Sequence, residues 1–167
     1  MMQETRASPK AIVLFTSRYG NTEKIARALE SGLKEAGVET SCFEAGEVAV
    51  DSLNQHDLIC AGAPTEQHTA SKPMKALLQN LKGVNLSGKY GFAFDTRFDM
   101  PLSGSAAKFI EKELKDRGIL IVASRESAIV AGGTKGSVLK EAEEERFKQI
   151  GARVGTALAA KGRVVPA

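Results

Sequence analysis

Six residues near the start of the chain, Ala11 to Thr16 (AIVLFT), form an almost unbroken apolar run, and directly after it the hydrophobic period changes. A run with no polar side cannot turn one face to water. As a strand it must be covered on both faces, which is the habit of parallel sheets. From Asn21 the chain reads NTEKIARALESGLKEAG, with Ile25, Ala26, Leu29, Leu33 and Ala36 on one helical stripe and Gly37 suited to the left-handed position past a helix end. Further strands are expected at Glu39–Glu44, Asp57–Ala61 and Lys89–Asp95, then a helix over Gly104–Arg117 with Phe109, Ile110 and Leu114 inward. A fifth strand is expected at Ile119–Ala123, resumed at Ser127–Val130, and a closing helix from about Ser137 to Lys161. Parallel neighbours need a crossover, right-handed in ~98% of cases, so the expectation is a doubly wound, five-stranded parallel sheet in three α/β/α layers.

At 167 residues one domain suffices, expected over residues 10–162, with a disordered tail at 1–9 and another tail at 163–167. Nothing approaches the ~20 apolar residues of a membrane span, and Met1–Lys10 lacks the apolar core of a secretory signal, so a cytoplasmic address is expected. Cys42 and Cys60 are far apart and outside any CxxC, which leaves reduced, buried thiols as the reading. The net charge of +3 comes from dispersed basic residues and gives nucleic-acid binding little support.

In a doubly wound sheet, ligands sit at the carboxyl ends of the strands, where the winding direction reverses. Three loops therefore matter: Ser17–Thr22, Gly62–Ser71 and Thr96–Ser103. The first, Ser17-Arg18-Tyr19-Gly20-Asn21-Thr22, is rich in hydroxyl and amide groups and runs into a helix whose unpaired N–H groups suit a phosphate; otherwise Asn21 or Thr22 is simply an N-cap. There is no GxGxxG after the first strand and no GxxxxGK[ST] anywhere. Gly132-Gly133-Thr134-Lys135-Gly136 reads as an ordinary strand-to-helix connection or the rim of a partner surface. Ser103 and Ser105 are not in GxSxG, neither histidine has an evident partner, and no HExxH or CxxC offers a metal site.

TSRYGNTEKIA resembles the phosphate-binding signature of flavodoxin-like proteins. DLICAGAPT is similar to the strand and opening of that family's second flavin loop, and KYGFAFDTRFDMPLSGSAAKFIEKELKDRG to the strand, third loop and helix that come next. The resemblance implies a noncovalent flavin mononucleotide (FMN) and electron transfer with redox partner proteins or a small-molecule acceptor, the chain being a monomer or weak homo-oligomer. Carried over, it puts Ser17, Arg18, Tyr19, Gly20, Asn21 and Thr22 at the phosphate. Pro64, Thr65, Glu66 and Gln67 then lie along one ring edge and face, and Asp95, Thr96, Arg97, Phe98 and Asp99 on the pyrimidine side. Three features depart from the family. Arg18 stands in a loop usually neutral in the family; Glu66 and Met100 stand where stacking aromatics are common, leaving Phe98 as the substitute; and Gln67 stands where a glycine often allows a backbone flip, so that positive φ is resisted there, while Arg97 and His68 in the ring loops could favour a reduced anionic ring. An enzyme of the quinone or protoporphyrinogen oxidase type and a flavin-free binding module are the alternatives.

Overall fold

The structure, a computed structural model, describes residues 8–133 and 136–163. Most of the two expected tails, and the tip of the glycine-rich segment, lie outside these residues. The order is β1 (Lys10–Phe15), α1 (Asn21–Glu35), β2 (Glu39–Glu44), β3 (Leu58–Glu66), β4 (Thr69–Ala70), α2 (Lys72–Asn80), β5 (Tyr90–Phe98), α3 (Ala106–Asp116), β6 (Leu120–Ile121), β7 (Glu126–Gly133), β8 (Gly136–Leu139) and α4 (Glu143–Arg163). The main sheet runs β2-β1-β3-β5-β7-β8. Its first five members are mutually parallel, as expected, and β8 adds an antiparallel edge to β7.

Alternation along β1 explains its continuous apolarity. Ala11, Val13 and Phe15 enter a core layer with Ile25, Leu29 and Leu33 of α1 and with Phe147, Ile150 and Val154 of α4. Ile12 and Leu14 enter the opposite layer with Met74, Leu77 and Leu78 of α2 and with Ile110 and Leu114 of α3. On the first face α1 and α4 meet backbone to backbone at glycines: a methyl at Gly32 would overlap the Lys148 carbonyl, and one at Gly151 the Leu29 carbonyl.

Four elements differ from expectation. β3 and β5 run on to Glu66 and Phe98, so Pro64–Glu66 and Thr96–Phe98 are strand ends rather than loop. The fifth strand is split, β6 pairing two residues of β5 near its start and β7 pairing its far end. β7 pairs back with β8, so Ser137–Leu139, expected as the start of the last helix, is strand; α4 begins at Glu143. There the Ile129 N–H donates to Glu143 Oε2 (2.5 Å), while Arg146 bridges Glu143 (2.8 Å) and Glu126 (3.0 Å), tying β7 to the helix. The short helix α2 has no counterpart among the elements expected from sequence.

Both cysteines are buried and free. Burial pushes the Cys42 thiol up to about 12, despite the opposing charge of Arg27, and pushes Cys60 up as well. Neither thiolate forms near neutrality. The folded protein is expected to leave both thiols unmodified by a colorimetric thiol reagent at pH 8, and denatured protein to release two equivalents; fast reaction of either thiol in the native state would contradict this burial.

Candidate functional site

The cleft lies where the winding reverses between β1 and β3, at the carboxyl ends of β1, β3 and β5. Its volume is about 260 Å³, and its lining comes from the loop after β1, the ends of β3 and β5, and the β7–β8 hairpin. The first loop is built around Gly20, which precedes α1 at φ +88°, a conformation that costs any side-chain-bearing residue roughly 1–2 kcal/mol. Gly20 therefore occupies the N-cap position considered for Asn21 or Thr22. Capping at this end comes from Ser17, whose Oγ accepts from Gly20 N (3.0 Å) and Glu23 N (3.4 Å).

Asn21 and Thr22 stand in the first turn, where N–H groups have no carbonyl one turn earlier to donate to. Their side chains are already committed. The Thr22 hydroxyl bonds that of Thr96 (3.0 Å), tying the first loop to β5, and Asn21 Nδ2 donates to Ser137 of β8. Arg18 lies over the Tyr19 ring, 5.4 Å from its centroid. At the sheet, Thr16 N donates to the Gly62 carbonyl (3.1 Å) and the Thr16 and Ser71 hydroxyls meet at 2.7 Å, holding the first and second loops together.

The second segment ends in a tight hairpin: Thr65 pairs with Ala70 and Glu66 with Thr69, leaving Gln67 and His68 as the two-residue turn. Both have positive φ, +49° and +70°, the geometry of a type I′ turn. Gln67 thus adopts the conformation it was expected to resist. Contact explains it: His68 bridges to Gly104, whose missing Cβ leaves room for the His68 backbone. The cost of order 1–2 kcal/mol for each such residue is borne by the hairpin and this clamp.

Of the residues singled out in the sequence, Ser17, Arg18, Tyr19, Asn21, Thr22, Pro64, Thr65, Glu66, Thr96, Arg97 and Phe98 are brought together around the cleft. Gly20, Gln67 and Asp99 shape the loops but are outside the lining, as is Asp95. That aspartate is wholly buried and faces α3 instead: its Oδ2 accepts from Ser105 Oγ (2.7 Å), Ala107 N (2.9 Å) and Thr65 Oγ1 (3.3 Å), a carboxylate at the positive end of a helix. Thr65 works in the same cap, accepting from Ala106 N (3.0 Å). Val130, Gly136 and Ser137 also line the cleft, and sequence reasoning misses them because the hairpin that brings them reads there as a plain connection.

The donor set divides the cleft by chemistry. Hydroxyls, the Arg18 guanidinium and the start of α1 belong to the lining and suit an anion. Pro64, Phe98 and Val130 supply apolar surface to the rest of the lining, with Arg97 and Glu66 among them. Phe98 is 43% exposed, Met100 56% and Tyr19 55%, so large apolar side chains stand open beside the cleft. Arg97 Nη1 reaches Ser103 Oγ at 3.4 Å, which holds it against the loop after β5.

Known proteins place this arrangement. The family model for flavodoxin matches residues 13–150. A flavodoxin of Clostridium saccharobutylicum is 28% identical over 151 residues, covering 87% of this chain and 94% of its own. A type A flavoprotein of Rhodobacter capsulatus is 30% identical over 117 residues, 67% of this chain, which spans only 26% of that longer protein. Among solved structures, a flavodoxin from the domain Archaea superposes with a TM-score of 0.75 at 22% identity, covering 90% of this chain and 99% of the other. The chain belongs to the flavodoxin family, FMN-binding proteins that carry electrons. Among the described residues no helix is long and apolar enough to cross a membrane.

Proposed function

We propose that this cleft holds FMN, with the phosphate at the Ser17–Thr22 loop and the ring between the strand ends Pro64–Glu66 and Thr96–Phe98, and that the protein passes electrons to and from a redox partner at the cleft mouth. The observation that carries the reading is the meeting of these three segments in one cleft at the switch point of the sheet, in a chain of the flavodoxin family. Bound FMN supplies the redox chemistry. The protein supplies the anion site, the apolar slot and the access. Among the candidate residues no general acid or base is required, since bound FMN would supply the electron transfer and the protein its binding site and access. Residues 10–162 form the functional unit in this reading, working in the cytoplasm as a monomer or weak homo-oligomer.

A second reading is favoured by the open cover beside the cleft, where Phe98 and Met100 leave room for a small molecule against the ring. There the chain is an FMN-dependent oxidoreductase acting on a quinone-like acceptor. Steady-state assays with reduced nicotinamide and a quinone separate the two: a carrier gives negligible turnover without a reductase, whereas an oxidoreductase turns over by itself.

Phe98 gives a prediction at the ring end. Phe98→Ala is expected to weaken FMN and riboflavin equally, about five- to tenfold in Kd, as lost aromatic stacking of roughly 1–1.5 kcal/mol requires. Fluorescence-quenching titrations measure both. Unchanged affinities would show that Phe98 does not touch the ring.

A further inference from the structure

The β7–β8 hairpin reaches the first loop at two points. Gly136, at φ +112°, lies so close to the Tyr19 ring that a Cβ there would stand 2.9 Å from its edge. One residue on, Asn21 Nδ2 donates to both the carbonyl (2.8 Å) and the hydroxyl (3.1 Å) of Ser137. Asn21 is buried, and its amide nitrogen donates to the hairpin.

The Ser137 hydroxyl is placed differently. A serine hydroxyl has one proton to donate and two lone pairs to accept with; here the Asn21 amide takes a lone pair, so the proton is directed elsewhere. No acceptor for it is found among the described residues, and Ser137 lines the cleft. The same logic holds across the gap at Ser17, whose Oγ accepts from Gly20 N and Glu23 N and keeps its own proton to give. Ser17 with both lone pairs engaged, Ser137 with one taken by Asn21, the Arg18 guanidinium and the first turn of α1 thus stand as donors in one cleft. The ligand group that matches a donor-rich set is an acceptor-only anion.

The geometry points to Ser137 as a phosphate ligand contributed by the hairpin: its hydroxyl donates to the terminal phosphate of FMN, and Asn21 is a positioning residue that fixes the hairpin against the phosphate loop. This rests on the FMN reading of the cleft and adds a binding element from outside the loop that carries the sequence signature. Gly136 and Ser137 of the hairpin stand in the lining of the cleft beside the first loop.

The test compares FMN with riboflavin, which lacks the phosphate, in fluorescence titrations of the wild type, Ser137→Ala and Ser137→Thr. Ser137→Ala removes the hydroxyl but leaves the Ser137 carbonyl to Asn21, so the hairpin stays tied and the melting temperature is expected to hold within about 3 °C. The expected result is a Kd for FMN raised about tenfold, as loss of a hydrogen bond to a charged group requires, with riboflavin unchanged within about twofold. Ser137→Thr, which restores the hydroxyl, is expected to recover FMN binding to within about threefold of wild type. An FMN affinity unmoved by Ser137→Ala overturns the assignment. So does an equal loss for both ligands, which would place the contact on the sugar chain or ring. If the wild type binds neither flavin, the proposed function itself fails and takes this inference with it, a result distinct from both.

Discussion

Gly20→Glu is expected to weaken FMN uptake severely, raising Kd on the order of 100-fold. Two costs combine. A side chain at φ +88° strains the backbone by roughly 1–2 kcal/mol, and the loop relaxes away from the shape that presents its N–H groups. A carboxylate beside a site built of donors adds like-charge repulsion against the phosphate, roughly 1–2 kcal/mol after solvent screening near the surface. Together these come to roughly 2–4 kcal/mol, a range that brackets the ~2.7 kcal/mol of a 100-fold change in Kd. The variant still folds, because a Cβ at Gly20 meets nothing within 4 Å. Gly20→Ala separates the two costs, since it carries the strain without the charge and should weaken FMN by far less. Calorimetric titration of the three proteins measures this; a Gly20→Glu Kd within about threefold of wild type would leave the phosphate somewhere other than this loop.

The largest stability effect is expected at Gly32→Leu. Gly32 of α1 faces the Lys148 carbonyl of α4, and the obstacle is backbone, which no rotamer change can move aside. Small-to-large substitutions in a packed core commonly cost about 1–3 kcal/mol; prying two helices apart along a contact that also includes Gly151 and Gly155 should cost about 4 kcal/mol or more. For a domain of this size that lowers the melting temperature by roughly 8–16 °C, or prevents folding. An exposed α1 position such as Ser31→Leu serves as the control, expected within about 0.5 kcal/mol of wild type. Thermal unfolding followed by circular dichroism distinguishes them. Equal melting temperatures for Gly32→Leu and wild type would mean that α1 and α4 are not in backbone contact.

The first α/β unit is legible in the sequence because two signals coincide there. Ala11–Thr16 is apolar on both faces since both faces are covered, and α1 has one clean stripe. The ends of β3 and β5 are not, because Pro64-Thr65-Glu66 are only partly buried and Thr96-Arg97-Phe98 pass from buried to exposed, so no continuous apolar run marks them. α2 is only nine residues with Pro73 near its start, too short for a period to show. β8 misleads for a different reason. Its pairing with β7 runs through glycines at 132, 133 and 136, and nothing local tells Ser137 in a strand from Ser137 as a helix cap.

The candidate site divides along the same line. Of Ser17–Thr22, singled out by residue type and order alone, all but Gly20 line the cleft. Asp95 reads in sequence as a ligand contact at a strand end, but its partners, Ser105 and Ala107, lie 10 and 12 residues further on at the start of α3, and only the fold brings them to it. Ser137 is 116 residues from Asn21, a separation at which sequence offers no pairing signal.

The central claim is that the cleft at the ends of β1, β3 and β5 is an FMN site. Titrating the purified, flavin-depleted protein with FMN and following its fluorescence tests this most directly. The account predicts saturable quenching with one FMN per chain, tighter than for riboflavin because the phosphate end of the cleft is engaged, and weakened by Gly20→Glu. Absence of saturable binding, or binding that neither the phosphate nor Gly20→Glu affects, would contradict it.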